Sequence, residues 1–206
     1  MRGPSNNYFE EITAMCSVLE SAARGFNSLL GAFSVKKLRE TEDVLRRDAE
    51  RAYTKKCSLE SELYSDFITP IEREDIISII CALERAVHSF LCVCLKMKMW
   101  GITKSKGDAI EFSDVALRCS TKIKKISYEF EGFRKSKSIR MHIREATELA
   151  RTREDLYVSA MSALVKSTAN RDELLVWGGI YSSLDELCYN CECVLDAFGM
   201  AILKNI

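Results

Sequence analysis

The sequence has few of the residues that interrupt helices. It contains only 2 prolines and 9 glycines in 206 residues. Together these types make up roughly 5% of the chain, against about 12% in average proteins. So few turn-forming residues predict long helices, and they argue against an all-β fold and against extended disorder.

The sequence also lacks a net charge and a long apolar run. Its 30 basic and 30 acidic residues cancel, whereas a nucleic-acid-binding domain is usually basic. No run approaches the ~18 apolar residues of a membrane-spanning helix. The apolar fraction of 47% is still enough for a hydrophobic core. We therefore predict a globular protein with no nucleic-acid partner and no membrane-embedded part.

The 9 cysteines are irregularly spaced and follow no secretory leader pattern. Cys188, Cys191 and Cys193 form the densest group, but they lie inside a helical pattern. A zinc site would need a second pair at ligand spacing and a loop that carries it. We expect reduced, mostly buried thiols in a cytoplasmic protein.

Apolar residues that recur at intervals of three and four predict six helices, at about 7–33, 35–66, 70–101, 112–133, 139–166 and 173–203. A polar linker at 103–110 separates a three-helix unit of residues 1–102 from another of residues 111–206. The predicted fold is all-α: a single elongated domain of two three-helix units, either side by side or fused. The second helix has the thinnest apolar stripe of the six.

The sharpest local signal is the junction Phe67-Ile-Thr-Pro-Ile-Glu-Arg-Glu-Asp-Ile76. Thr69 has the chemistry of an N-cap, Pro70 suits the first helical position, and Glu72 would complete a capping box. Acidic residues in the following turn suit the positive end of the helix dipole. The junction therefore predicts that the third helix begins at Pro70.

This junction resembles the signature of the PhoU-like phosphate-transport regulators, through Phe67, Thr69, Pro70, Glu72, Arg73 and Asp75. More narrowly, it resembles their small single-chain branch, long labelled a domain of unknown function and linked to inorganic phosphate permeases of the Pit type. Weaker similarities extend over nearly the whole chain: Tyr8-Phe9-Glu10, Leu156-Tyr157 before Ala160, Trp177-x-x-Ile180-Tyr181, and Ile202 to Asn205.

The resemblance implies a fold of two three-helix units and a role at the membrane. It implies a cytoplasmic accessory protein, peripheral at the inner face of the membrane, that docks on an inorganic phosphate permease. A homo-oligomer is also compatible with it.

The resemblance further implies where metal ions would bind. Family members carry E-x-x-x-D pairs, and residues four apart share a helix face, so two carboxylates can bind one divalent cation. Of eight expected positions, four keep a ligand-type side chain: Glu84, His88, Glu154 and Asp185. The other four are Ala49, Tyr53, Ala150 and Tyr189. We therefore expect weak or no binding of a divalent metal ion and no other cofactor. Without a metal ion, Glu84 and His88 would be an ordinary solvated flank of the helix.

Charge is unevenly distributed along the chain. Residues 118–144 contain 9 Lys or Arg and 2 Glu, whereas residues 40–75 contain 11 Asp or Glu and 6 Lys or Arg. Lys122, Lys124 and Lys125 mark the centre of the basic segment. This segment is either an ordinary solvated face or a docking face for an acidic partner, an anionic lipid or phosphate.

The motifs of common enzyme classes are absent from the sequence. Neither His88 nor His142 follows a glutamate by three residues, as a ferritin-like di-metal centre requires. There is no nucleophile elbow, phosphate-binding glycine loop or dinucleotide fingerprint. A Cys–His pair formed in space is left open. We predict a docking regulator rather than an enzyme, with two alternatives: a helical scaffold that lost its metal site, or a metal-dependent enzyme.

Overall fold

The computed structural model describes residues 8–167 and 170–205, and every regular element within them is a helix. The helices are α1 (Tyr8–Gly31), α2 (Val35–Ser65), α3 (Arg73–Met99), α4 (Gly107–Phe130), α5 (Ile139–Ser167) and α6 (Arg171–Lys204). The all-α prediction with six long helices is confirmed. Asn7, where the first helix was predicted to begin, lies outside the described residues.

The helices form two three-helix units that share one core. Within each unit, every helix packs on the other two, and the units join where α1 contacts α4 and α3 contacts α6. Among the described residues, α2 packs only on α1 and α3, and α5 only on α4 and α6. The units are therefore fused, with α2 and α5 as the outer helices.

Aromatic residues mark the junction between the units. The Phe130 ring of α4 meets Phe9 of α1 edge to face at 5.5 Å between centroids, and Phe198 of α6 at 4.8 Å. Phe26 and Phe90 make a similar contact at 5.5 Å within the first unit. Such edge-to-face pairs stabilise a core beyond the apolar area that they bury.

Side-chain caps fix two of the helix starts. Ser34 Oγ accepts the Lys37 amide at 3.1 Å at the start of α2, and Asn170 Oδ1 accepts the Asp172 amide at 2.9 Å at the start of α6. Each cap satisfies an amide that has no partner inside its helix. The fourth helix begins at Gly107 rather than near Phe112, which places Asp108 in its first turn, where a carboxylate is favoured.

The predicted start of the third helix is wrong. Thr69 is not an N-cap, because it lies three residues before the cap position, and its hydroxyl donates to the Ile71 carbonyl oxygen at 2.7 Å. Pro70 lies in the turn before the helix, and α3 begins at Arg73 with Glu72 in the cap position and no side-chain cap. The Glu72 carbonyl accepts the amides of Asp75 and Ile76 instead. Because the helix begins at Arg73, the capping position falls on Glu72 and not on Thr69.

The α3 helix contains a long apolar stretch. Among the described residues, it alone has the length and composition of a membrane span, yet 61% of its most apolar stretch is buried inside the protein. It packs on α1, α2 and α6. Its apolar character is therefore accounted for by a central position in the core.

Candidate functional site

The polar residues of the α2–α3 connection bind neighbouring helix ends. Asp75 is only 3% exposed and accepts from Lys204 Nζ at 2.9 Å and Asn205 Nδ2 at 2.8 Å. Asn205 Oδ1 in turn accepts the Glu72 amide at 3.2 Å. These bonds fasten the start of α3 to the end of α6, so the roles of Glu72 and Asp75 in this structure are structural.

The other side of the same connection is bound to α1. Tyr8 donates its hydroxyl to Asp66 Oδ2 at 2.6 Å, and Arg73 donates to the Asp66 carbonyl oxygen. Burial and the bond to Asp66 together raise the pKa of Tyr8 well above its usual range, so its hydroxyl stays protonated. The connection between α2 and α3 is thus fixed at both ends.

Two large apolar side chains of this connection face outward, although its Ile71 is buried. Phe67 is 97% exposed, Ile68 is 85% exposed, and Tyr64 in the last turn of α2 is 91% exposed. We call these three residues the apolar tip. A cluster of large, exposed apolar side chains beside an anchored segment is the unusual feature of this connection.

Glu84 and His88 lie together in a groove between α3 and α6. This groove has a volume of about 360 Å³ and is also lined by Cys92, Ser183, Glu186 and Asn190. His88 Nδ1 lies 3.3 Å from Cys92 Sγ, and Glu84 Oε2 lies 3.7 Å from Lys56 Nζ of α2. The carboxylate of the predicted ligand pair therefore already has a cation beside it.

Glu154 and Asp185 do not form a metal-ligand pair, because the guanidinium of Arg153 lies beside both carboxylates. Arg153 Nη1 lies 2.7 Å from Asp185 Oδ1, and its Nη2 lies 3.5 Å from Glu154 Oε1. The same guanidinium lies 3.6 Å from Glu192 Oε2, and Glu192 also accepts from Arg151 Nε at 2.8 Å. The arginine side chain is only 13% exposed, so it supplies the positive charge among these carboxylates.

The four predicted ligands, as the structure places them, do not fit a bound metal ion. No group of three or more His, Cys, Asp or Glu side chains converges as a ligand set in residues 8–167 and 170–205. The structure distributes the four predicted ligands between the α3–α6 groove and the Arg153 cluster, and each place contains a Lys or Arg side chain. A positive side chain beside a carboxylate opposes the binding of a second cation there.

The predicted basic face is divided between two sides of α4. Lys124 Nζ pairs with Glu20 Oε2 of α1 at 2.8 Å, and this hydrogen bond lowers the pKa of Glu20. Lys122 Nζ pairs with Glu145 Oε2 of α5 at 3.2 Å. Lys125 makes no ion pair among the described residues. Two of the three predicted docking lysines therefore join helices.

A groove of about 570 Å³ lies beside these lysines, between α1, α4 and α5. We call it the basic groove, and its charged or ionisable lining residues are Arg24, Arg118, Lys122, Lys125, His142 and Glu145. His142 Nδ1 lies 2.8 Å from Glu129 Oε1. Burial disfavours the Glu129 carboxylate, but hydrogen bonds from Ser138, Ser136 and His142 outweigh burial and lower its pKa.

All nine cysteines are free thiols in the structure. Burial raises the pKa of Cys16, Cys94 and Cys191 to about 12 each, so these buried thiols are protonated near neutral pH. A thiol acts as a nucleophile or metal ligand in its thiolate form. These three residues therefore belong to the core.

Sequence analysis missed Arg24, Arg153 and Glu192. Arg153 and Glu192 meet across α5 and α6 although they are distant along the chain. The one available signal was Glu192 itself, a charged residue between Cys191 and Val194 in the apolar stripe of α6. A charge at such a position predicts a buried partner of opposite sign, but it does not identify that partner.

The chain has relatives in sequence and in structure. No protein-family model matches it. It is 25% identical, over 168 residues and 82% of each chain, to the UPF0111 protein YkaA of Bacillus subtilis (strain 168).

Two solved structures from Shewanella oneidensis MR-1 are similar to the chain. One is a PhoU-like protein with a TM-score of 0.80 and 10% identity, and the other is a PhoU-like phosphate regulatory protein with a TM-score of 0.78 and 8% identity. Both similarities cover 96% of this chain and 100% of the solved one. The resemblance predicted from the residues around Phe67 is thus confirmed at the level of architecture: this chain has the PhoU-like helical fold.

Proposed function

We propose that this protein regulates an inorganic phosphate permease of the Pit type by docking on it in the cytoplasm, without catalysing a reaction. The PhoU-like fold supports the proposal, because one solved structure of this fold is described as a phosphate regulatory protein. The observation that carries the docking mechanism is the apolar tip at Tyr64, Phe67 and Ile68.

The apolar tip has the properties of a protein-binding segment. Exposed aromatic and aliphatic side chains that cluster on one short segment mark interaction sites, because burying them against a partner is favourable. Phe67 and Ile68 are adjacent in the chain and almost fully exposed, so docking would remove nearly all of their apolar surface from water. An aromatic anchor of this kind commonly dominates the binding energy of an interface.

The tip is also fixed before any partner arrives. Its backbone is fastened to α1 through Tyr8 and Asp66, and to the end of α6 through Glu72 and Asn205. A binding segment that is already ordered loses less conformational entropy when it binds. These bonds explain how the polar residues of the signature could serve docking without touching the partner.

The test is co-purification of the full-length protein with the permease from solubilised membranes. The F67S/I68S double variant should reduce the recovered complex at least about tenfold, because two apolar anchors are lost. The matched control is V158S/L175S, which removes two apolar side chains that are 65% and 64% exposed outside the tip. Control recovery should equal that of the wild type.

Equal recovery of F67S/I68S and the wild type would overturn docking through the tip. Failure of the wild type to co-purify with a permease would overturn the docking function and favour the helical scaffold. Measuring the molar mass in solution decides whether the tip instead joins copies of this chain: a dimer that F67S/I68S converts to a monomer would assign the tip to self-association.

A further inference from the structure

We propose that the basic groove between α1, α4 and α5 binds a phosphoryl anion. This inference rests on the charge and shape of the groove and is independent of docking through the apolar tip. The groove is lined by four cationic side chains (Arg24, Arg118, Lys122 and Lys125) and by a single carboxylate, Glu145.

The carboxylates around the groove are already paired. Glu145 accepts from Lys122 at 3.2 Å, and Glu20 pairs with both Arg24 and Lys124 at 2.8 Å. The bonds from Lys124 and Arg24 lower the pKa of Glu20, so it is ionised at neutral pH. Its negative charge is therefore paired with these two cations. Little negative charge is left to compensate the remaining cations of the groove.

Arg118 and Lys125 are the uncompensated cations. Neither makes an ion pair or hydrogen bond among the described residues, and both are exposed. Their positions are seven apart on α4, so both lie on the same face as Lys122, with their Cα atoms about 10 Å apart along the axis. Long, flexible side chains at this spacing can converge on one anion from two sides.

The lining chemistry favours phosphoryl oxygens over a simple inorganic ion such as chloride. Arginine presents a planar set of donors that matches a phosphoryl group in a bidentate manner, while lysine adds a point charge. Glu129 bonds to Nδ1 of His142, so Nε2 is the imidazole nitrogen left for a ligand. A volume of about 570 Å³ accommodates a diphosphate or a phosphorylated headgroup as well as a single phosphate.

The experiment is a titration of the full-length protein with inorganic pyrophosphate by isothermal calorimetry, with orthophosphate in parallel. The wild type should bind pyrophosphate, with an affinity that falls as salt rises. The R118Q/K125Q double variant should weaken binding at least about tenfold, because two charge-assisted contacts are lost. The matched control is R39Q/R47Q, which removes the same charge from exposed positions of α2 and should bind within about twofold of the wild type.

Vesicles identify the source of the phosphoryl group. Phosphatidylcholine vesicles with and without phosphatidylglycerol are sedimented with the wild type and with R118Q/K125Q. Binding that needs the anionic lipid, needs Arg118 and Lys125, and is displaced by pyrophosphate would assign the groove to a lipid headgroup. Pyrophosphate binding without vesicle binding would assign it to a soluble phosphate compound.

Three outcomes overturn the proposal. They are a wild type that binds neither pyrophosphate nor vesicles, an R118Q/K125Q variant that binds as tightly as the wild type, and an R39Q/R47Q control that loses as much affinity as R118Q/K125Q. The variants alter exposed side chains, so unchanged circular dichroism and thermal midpoints would show that all of these proteins are folded. None of these outcomes depends on whether a permease binds the apolar tip.

Discussion

The outer helices α2 and α5 occupy corresponding positions in the two units but are attached in different ways. The α2 helix buries Leu38, Leu45, Leu59 and Leu63 along its length. The described part of α5 buries only Leu164, Ile139 and three alanines. The α5 helix adds apolar side chains that are only half-buried against the core, namely Ile143, Leu149, Leu156, Tyr157 and Met161. Its ion pairs to neighbouring helices come from Arg151, Arg153 and Glu145, whereas those of α2 come from Glu42, Lys55 and Lys56.

The comparison shows that one fold can attach equivalent helices by different proportions of the same two forces. Burying a leucine stabilises by removing apolar area from water and does not depend on salt. Ion pairs are weakened by salt unless they are buried. We therefore expect mutations of leucines to loosen α2 most and mutations of arginines to loosen α5 most.

The largest effect should follow the loss of a leucine from α2. Leu45 is 1% exposed at the middle of the helix, so Leu45→Ala should reduce the free energy of unfolding by about 3 kcal/mol through lost transfer energy and the cavity left behind. Urea denaturation measures this change. Val158→Ala on α5 is the control and should change the free energy by less than about 0.5 kcal/mol, because its side chain is exposed. A loss below about 1 kcal/mol for Leu45→Ala would show that α2 is not attached by its leucines.

The next largest effect should come from Arg153 on α5. Removing this side chain leaves Asp185 and the buried Glu192 with less positive charge nearby, and it removes the contact of the guanidinium with the Tyr189 ring at 5.1 Å. Arg153→Ala should cost about 2 kcal/mol, below the usual range for breaking a buried pair because Arg151 still compensates Glu192.

The matched variant on the α2 side is Lys56→Ala. Lys56 and Glu84 are 3.7 Å apart without a hydrogen bond, so this change should cost less than about 1 kcal/mol. Both variants are compared in urea at low and high salt. Equal losses at the two positions would contradict the distinction between the outer helices.

The stability of the protein at acid pH should depend on Glu42, which makes the main charged contact of α2 with α3. The bonds from Lys98 and Arg46 to Glu42 lower the pKa of this carboxyl below its ordinary value of 4.5. The unfolded chain therefore takes up a proton first as the pH falls, so the stability that Glu42 contributes is present above pH 4.5 and is lost below it, as the pH falls through the lowered pKa. Glu42→Gln should cost about 1 kcal/mol at neutral pH and should flatten the loss of stability with acid. Parallel acid curves for the two proteins would contradict this assignment.

Much of the fold was predictable because it depends on local periodicity. The apolar residues that recur at intervals of three and four in the sequence of α6 are all buried: Trp177, Ile180, Leu184, Leu187, Cys191, Val194, Phe198 and Ala201. The thin apolar stripe of α2 is buried too: Leu38, Leu45, Ala49, Ala52, Leu59 and Leu63. A helix shows its buried face in its own sequence, since residues three and four apart lie together. The Thr69 cap was mispredicted because the pattern of threonine, proline and glutamate also fits a turn in which the hydroxyl bonds to Ile71.

The site was less predictable because it depends on partners across helices. Helical spacing places Glu84 and His88 on one face, but it does not show that Lys56 lies beside Glu84. A cluster of lysines likewise gives no sign that Lys124 turns towards α1 and Lys122 towards α5. Which of several neighbouring charges is free is a property of the packed structure.

A smaller change in stability is expected when the adjacent glycines of α6, Gly178 and Gly179, are replaced by alanine, and comparing the two separates packing against α5 from helix propensity. A β-carbon at Gly178 would meet Met161 Cε of α5 at an ordinary 3.5 Å, whereas one at Gly179 would meet nothing within 4 Å. Both Gly178→Ala and Gly179→Ala should stabilise by up to about 1 kcal/mol, because alanine suits a helix interior better than glycine. Thermal denaturation measures both. Destabilisation by Gly178→Ala alone would show that α5 is packed more tightly on α6 than its few buried residues indicate.

The smallest expected effect concerns the metal content of the protein. Each outer helix places a cationic side chain beside carboxylates that were predicted to bind a metal ion. Lys56 of α2 lies beside Glu84, and Arg153 of α5 lies beside Asp185 and Glu154, so neither set of carboxylates is free to attract a divalent ion. We expect elemental analysis of natively purified protein to find well under one equivalent of iron or zinc, and we expect no change in E84A/H88A. One equivalent of metal that disappears in E84A/H88A would establish a site in the α3–α6 groove despite Lys56. Metal that persists in that variant but disappears in D185A would establish a site beside Arg153, and α5 would then be attached through a metal ion as well as through its arginines.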